Sequence, residues 1–330
     1  MSLNIHWLIP GTYADVNDIT NSQLASIRMR VAVSGLAFLG SSNTQVTFGD
    51  QIAPSTNVVL VGKIGADCQN GRAAFWLKQL QQCKSQGTRV VIDYTDNHLQ
   101  NKTSMTDFYS QAIALADACI ASSTKNAENL SKHISMPCHV IEEPLEIPLT
   151  SPKETFSKPT KILWFGHATN VEYLSKFIIE KLQAKSDLCE VIALSNGPGL
   201  NHLSQVHSRM NFRLKLTEWS IENMQIAAFE SDVIVIPSDP HDPKKMGASS
   251  NRLITSFALG LPVIASYIEA YLPYRAYFVD VSSEEMFEVI RNPAEYVGMT
   301  KKAQELVLPQ YSVQSIQQKW IEAIHLIASS

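Results

Sequence analysis

Apolar residues along this chain come in short β-branched runs separated by longer stretches of helical period. Leu3 to Ile9, Gln45 to Phe48, Asn57 to Val61, Arg89 to Asp93 and Ala118 to Ala121 read as strands, and Cys138 to Ile141 as a short one. Helical spacing fills the gaps at Asn21 to Phe38, Arg72 to Gln86 and Lys125 to His133. From Glu142 to Pro159 the pattern dissolves into prolines with Ser, Thr and Lys, which predicts a linker with little packed structure. The alternation then restarts with strands at Lys161 to Phe165, Cys189 to Leu194, Phe212 to Leu216, Val233 to Ile236, Val263 to Ala265 and Tyr277 to Asp280. A turn is predicted at Gly197-Pro198-Gly199, and helix from about Ser312 to Ile327. Continuous apolar strands alternating with helices predict parallel sheets covered on both faces, so the expected fold is α/β with two doubly wound, Rossmann-like domains. The boundaries expected are 1–143 for the first domain, 144–160 for the linker, 161–308 for the second domain and 309–330 for a terminal helix.

The stretch from Asp232 to Ser266 is the most informative. A buried strand ends at Pro237, a polar loop follows, and a helix begins near Ser249, Ser250 and Asn251 with Leu253, Ile254, Phe257, Ala258 and Leu261 on one face. Gly260 occupies a C′ position and Pro262 forbids continuation. Strand, loop, helix, strand is a right-handed crossover whose loop lies at the carboxyl end of its strand, where ligands of open α/β sheets bind. The helix start offers unpaired N–H groups and the positive end of the dipole, and Lys244, Lys245 and Arg252 add charge suited to a diphosphate. A solvated basic loop would show the same residues.

In the first half, Asp93, Asp96 and His98 leave the carboxyl end of a strand together. Two carboxylates and an imidazole there make a candidate sugar-binding or acid/base cluster, and equally an Asx-rich turn with a helix cap. Gly11 and Thr12 open a hydroxyl-rich loop after the first strand, although no G-x-G-x-x-G is present. Arg28 and Arg30 lie about 200° apart on a helix, so at most one faces that edge.

A length of 330 residues suits two domains, and 45% hydrophobic content with 18% charged residues is globular, so both halves can bury a core. The net charge of −4 gives no reason to expect a nucleic-acid partner. Five cysteines without a C-x-x-C pair argue against a disulfide framework and a zinc site and for a reducing compartment. No apolar run has the length of a membrane helix, and the first residues do not read as a signal peptide.

Several strings carry a family resemblance. NRLITSFALGLPVIAS, the preceding DVIVIP and LWFGHATN resemble the donor half of GT-B glycosyltransferases, family 4-like members in particular. ADACIASSTKNAENLSKH, HVIEEPLE and the terminal YSVQSIQQKWIEAI resemble the end of the acceptor half, the crossover and the final helix, and SIRMRVAVSGLAFLG and GTRVVIDYTDNHL have weaker counterparts. The resemblance implies two domains facing across a cleft, with the C-terminal helix crossing back to the first domain. It implies a UDP- or GDP-sugar donor with its diphosphate at the Ser249, Ser250 and Asn251 helix start and near Gly166; His167 and Asn170 are expected beside it, Lys245 and Arg252 are the candidates to meet its charge, and Gly11, Thr12 and Arg28 are the expected acceptor side. Asp96 is the expected base, with Asp93 orienting a backbone turn and His98 binding sugar or phosphate oxygen. It implies no cofactor and no bound metal, a glycan or glycolipid acceptor, and a cytoplasmic protein with room for a peripheral contact at the inner membrane. The same architecture serves nucleotide-sugar 2-epimerases and non-catalytic partner subunits. The family's paired glutamates are missing, since the matching positions hold Gly247 and Thr255, and its Arg and Lys after the glycine-bearing strand are replaced by His167 and no lysine before Lys176.

Overall fold

The computed structural model describes all residues except 1, 21, 23, 40, 66, 101, 208–211, 243–247 and 330. The chain divides into two compact units. The first runs to Pro144 and resumes at Gln310; the second runs from Leu145 to Pro309, apart from 246–249, which group with the first.

The first unit is built on a six-stranded, all-parallel sheet. Its strands are β1 (Leu3–Leu8), β2 (Thr44–Gly49), β3 (Val58–Val61), β4 (Arg89–Tyr94), β5 (Ala118–Ala121) and β6 (Cys138–Val140), in the order β2-β1-β3-β4-β5-β6. The order reverses between β1 and β3. Helices α1 (Val16–Thr20), α2 (Val33–Ala37), α3 (Arg72–Ser85), α4 (Thr106–Leu115) and α5 (Thr124–Ser131) fill the crossovers. The single helix predicted from Asn21 to Phe38 is a π-helical segment, Ile27–Ala32, followed by the short α2. Asn21 itself lies outside the described residues.

The second unit repeats the plan with β7 (Thr160–Phe165), β8 (Cys189–Ser195), β9 (Leu214–Glu218), β10 (Val233–Ile236), β11 (Val263–Ala265) and β12 (Val279–Asp280), ordered β12-β11-β10-β7-β8-β9 and all parallel. Here the reversal falls between β7 and β10. The helices are α6 (Val171–Phe177), α7 (Gly197–His207), α8 (Ile221–Glu230), α9 (Asn251–Ala258), α10 (Glu285–Arg291) and α11 (Val297–Leu306). Gly197-Pro198-Gly199, expected as a turn, instead opens α7. Proline is tolerated in a first helical turn, where its missing N–H has no partner to lose. A Cβ on Gly199 would stand 2.1 Å from Ser195 Oγ, so the glycine permits this close docking of helix on strand.

The proline-rich segment after Pro144 has neither helix nor strand, yet it is packed. Thr150 N donates to Ala258 O and Lys153 N to Gly260 O (2.8 and 3.0 Å), and Ile147 is buried. The fully buried Asp232 accepts from Ser157 N, Lys161 N and Lys153 Nζ at 2.8–3.1 Å, which fixes the segment to the second unit. The last helix, α12 (Val313–Ser329), belongs to the first unit. Ile316, Trp320, Ile324 and Ile327 enter the core formed with Ile5 and Trp7, and the rings of Trp7 and Trp320 meet edge to face at 5.4 Å.

Candidate functional site

In a doubly wound sheet the strand-order reversal leaves a crevice outside the carboxyl ends of the two strands flanking it. In the second unit those strands are β7 and β10. Gly166 leaves β7, and its lack of a side chain is used: a Cβ there would stand 2.9 Å from Arg252 Nη1 and 2.9 Å from the buried ring of Trp164. The Gly166 carbonyl accepts from Ser195 Oγ at 2.7 Å, and Asn196 Oδ1 accepts from Ala168 N at 3.0 Å, so β8 holds the loop after β7 in place. The exposed His167 caps the next turn, its Nδ1 accepting from Thr169 N, and Asn170 N donates to the His167 carbonyl at 2.9 Å. Tyr173 of α6 donates its hydroxyl to Asp242, tying α6 to the loop after β10.

Asn251 and Arg252 form the first turn of α9, whose leading N–H groups have no partner within the helix. Arg252 lies in this turn, and its Nη1 is buried without a hydrogen-bond partner among the described residues. A buried guanidinium N–H left unpaired beside a glycine and a helix start is arranged for an anion. The expected N-cap role of Ser249 and Ser250 is corrected. Ser250 holds the cap position without a side-chain cap bond, and the Ser249 hydroxyl donates instead to Glu143 Oε2 at 2.8 Å. Lys245, like Lys244, lies outside the described residues.

At the carboxyl edge of the first sheet, Asp93 and Asp96 have unlike surroundings. Asp93 is 2% exposed and accepts from Arg30, whose Nε lies 3.1 Å from both carboxylate oxygens. Arg30 is fully buried, donates Nη1 to the Ile141 carbonyl and stands over the Trp320 ring, 5.1 Å from its centroid. Asp93 therefore holds this ion pair and does not orient a backbone turn. Asp96 is half exposed and pairs with Lys63. His98 is 3% exposed, stacks on Tyr109 with 4.5 Å between ring centroids, and brings Nε2 to 3.9 Å from Asp96 Oδ2. Burial, reinforced by the Lys63 charge, pulls the His98 pKa down to about 4 against an opposing pull from Asp96, so the ring is neutral at pH 7. The structure thus brings Asp96 and His98 together with Lys63 and commits Asp93 to Arg30.

Gly11 has φ +103° and donates its N–H to Asp50 Oδ2 at 2.7 Å, and Thr12 bridges to Gly49. Arg28 donates to the Ser22 carbonyl at 2.7 Å. Sequence reasoning missed the roles of Arg30, Lys63 and Glu143. Arg30 had a signal, because it falls three residues after Ile27 and four before Ser34, both of which are buried like it. Lys63 and Glu143 had none. The Glu143 carboxyl is withdrawn from water although the residue is half-buried as a whole; its pKa is raised by this desolvation, against the nearby Arg30 charge and the Ser249 hydrogen bond. Among the described residues no group of three His, Cys, Asp or Glu side chains could hold a metal ion.

No family model matches the chain, and no curated protein does. Solved structures do. An α-glucosyltransferase in complex with UDP-glucose and DNA containing an abasic site is 12% identical, with a TM-score of 0.62 over 99% of this chain and 100% of that one. TarM is 10% identical, with a TM-score of 0.60 over 83% of this chain, and the chain spans 55% of TarM's length. A UDP-GlcNAc 2-epimerase from Neisseria meningitidis bound to UDP-GlcNAc is 12% identical, with a TM-score of 0.55 over 98% of this chain and 100% of that one. At these identities the likeness is one of fold, and the fold is that of the GT-B glycosyltransferases.

Proposed function

We propose that the protein is a glycosyltransferase that moves a sugar from a UDP- or GDP-sugar to a saccharide or lipid-linked acceptor. The observation that carries this reading is the buried, unpartnered Arg252 Nη1 beside Gly166, at the strand-order reversal of the second sheet. Gly166 lets a diphosphate approach the backbone, the first-turn N–H groups of α9 face it, and Arg252 supplies a charged donor. Ser250 and Asn251 complete the anion-binding site, with His167 and Asn170 beside it, and Lys245, outside the described residues, is a further candidate cation by its place in the sequence. As the sugar–phosphate bond breaks, charge grows on the departing diphosphate, and these fixed donors and dipoles stabilise it without a metal ion.

The acceptor reading places Gly11, Thr12 and Arg28 on the sugar-accepting side, with Asp96 as the base. Saccharides and glycolipids of surface polymers are the acceptor class we favour, handled at the cytoplasmic face. Among the described residues no helix is long and apolar enough to cross a membrane.

The experiment is a thermal-shift screen with UDP, GDP, TDP and CMP sugars, the matching nucleotides and the bare nucleosides. A ligand at about 100 times its Kd stabilises the native state by about 2.7 kcal/mol, a visible shift. A diphosphate-dependent rise supports the reading, and no rise with any nucleotide sugar rejects it. Incubation with the bound donor alone separates the reaction classes: inversion at C2 identifies an epimerase, whereas a transferase leaves the sugar unisomerised until an acceptor is added.

A further inference from the structure

An ammonium and a neutral imidazole reach toward one carboxylate oxygen. Lys63 Nζ is hydrogen-bonded to Asp96 Oδ2, and His98 Nε2 lies 3.9 Å from the same atom, too far for a hydrogen bond. Lys63 follows β3, beside the strand-order reversal of the first sheet, where a ligand is expected. Lys63 and Asp96 are 37% and 51% exposed, so their pairing is loosely held. His98 is the reverse: it is almost sealed, fixed by Tyr109, and its Nε2 has no hydrogen-bond partner among the described residues.

The neighbouring hydroxyls favour one tautomer of the ring. Thr106 Oγ1 gives its hydrogen to the His98 carbonyl at 2.7 Å, and Thr103 Oγ1 accepts from Met105 N at 3.2 Å. The Thr103 hydroxyl hydrogen has two acceptors in reach, His98 Nδ1 at 3.2 Å and Thr106 Oγ1 at 3.5 Å, and the ring nitrogen is the nearer. With Nδ1 accepting, a neutral ring carries its proton on Nε2, aimed at Asp96 with that hydrogen bond still unmade.

We propose that His98 is the positioning residue for Asp96, and that an acceptor hydroxyl entering beside Asp96 displaces Lys63 and turns the carboxylate onto His98 Nε2–H. This rests on the glycosyl-transfer reading above. In a direct displacement the acceptor O–H proton passes to Asp96 as its oxygen bonds the anomeric carbon. The anomeric C–O bond to phosphate breaks, and its electron pair leaves with the diphosphate. The His98 proton stays on Nε2 throughout and holds the carboxylate in line, which makes the ring neither acid nor base.

The test has two parts. In full-length protein labelled with 15N-histidine, the His98 ring is identified by its absence in His98→Phe, which keeps the stacking on Tyr109. The expected result is the neutral Nε2–H form, with its proton resonance moving downfield in Lys63→Met, where Asp96 has lost its other partner. An Nδ1–H ring, or a resonance indifferent to both Lys63→Met and Asp96→Asn, overturns the proposal whether or not any nucleotide sugar binds. In the second part, hydrolysis of UDP-glucose and UDP-GlcNAc is followed with water as acceptor. His98→Phe is expected to lower kcat about 10–100-fold, as loss of the hydrogen-bonded partners that orient metal ligands does, with donor affinity unchanged. His98→Gln, which restores an N–H donor, recovers part of the loss. Wild-type kcat in His98→Phe, alongside loss in Asp96→Asn, overturns the positioning role. If wild type binds no nucleotide sugar the functional reading falls, and the ring's tautomer still decides the pairing of His98 with Asp96.

Discussion

Gly166 and Arg252 approach so closely that a methyl group on the glycine would stand 2.9 Å from a guanidinium nitrogen. The glycine and the arginine are 86 residues apart in the chain (252 − 166), and the crossing of β7, β10 and α9 brings them together.

Gly166→Ala is therefore a test of the donor loop. The new methyl also meets the fully buried Trp164 ring at 2.9 Å, so both the Arg252 guanidinium and the loop backbone or the ring must shift. Overpacking of this kind costs about 1–3 kcal/mol of stability. Nucleoside-diphosphate affinity is expected to fall about tenfold or more, the worth of one charge-assisted hydrogen bond. Calorimetric titration and a melting curve on the same variant check both effects, and unchanged diphosphate affinity would remove Gly166 from the site.

Asp93→Asn should act on stability. Arg30 is fully buried, and removing its partner's charge leaves a cation without compensation, which costs about 3–5 kcal/mol. Urea denaturation of Asp93→Asn and Arg30→Met checks this. A variant as stable as wild type would mean that the buried pair contributes nothing, and Asp93 would return as a candidate reacting group.

The strand and helix alternation was legible because buried parallel strands and amphipathic helices have different periods, and Gly260, with φ +76°, ends its helix region as the sequence implied. The residues that hold the candidate sites in shape were less legible. Arg30 finds Asp93 across 63 positions and Ser249 finds Glu143 across 106, and no local pattern encodes either pairing. The N-cap expected of Ser249 was sound local chemistry, but a buried carboxylate offered its hydroxyl a stronger acceptor. Asp93 and Asp96 look equivalent as residue types and differ because one points into the sheet's core and the other stands half exposed beside Lys63.

Burial of His98 gives stability a pH dependence. Its folded pKa is held at about 4 against an ordinary 6.5, so the unfolded chain takes up a proton between those values and the folded protein does not. This contribution is complete above pH 6.5 and is lost as pH falls toward 4. Between pH 7 and pH 5 the loss is about 2 kcal/mol. His6 and His139 are depressed by burial in the same direction, whereas Glu143 is raised and works against them. Denaturation midpoints of wild type and His98→Gln at pH 7 and pH 5 isolate the His98 share, and equal pH slopes would contradict it.

The most direct measurement is isothermal titration of wild type and Arg252→Ala with UDP and GDP and with uridine and guanosine. Wild type is expected to prefer one diphosphate over its nucleoside by at least about tenfold, and Arg252→Ala to lose most of that preference while binding the nucleoside unchanged. No diphosphate preference in wild type, or equal weakening of diphosphate and nucleoside in Arg252→Ala, would contradict a diphosphate site at Gly166 and Arg252.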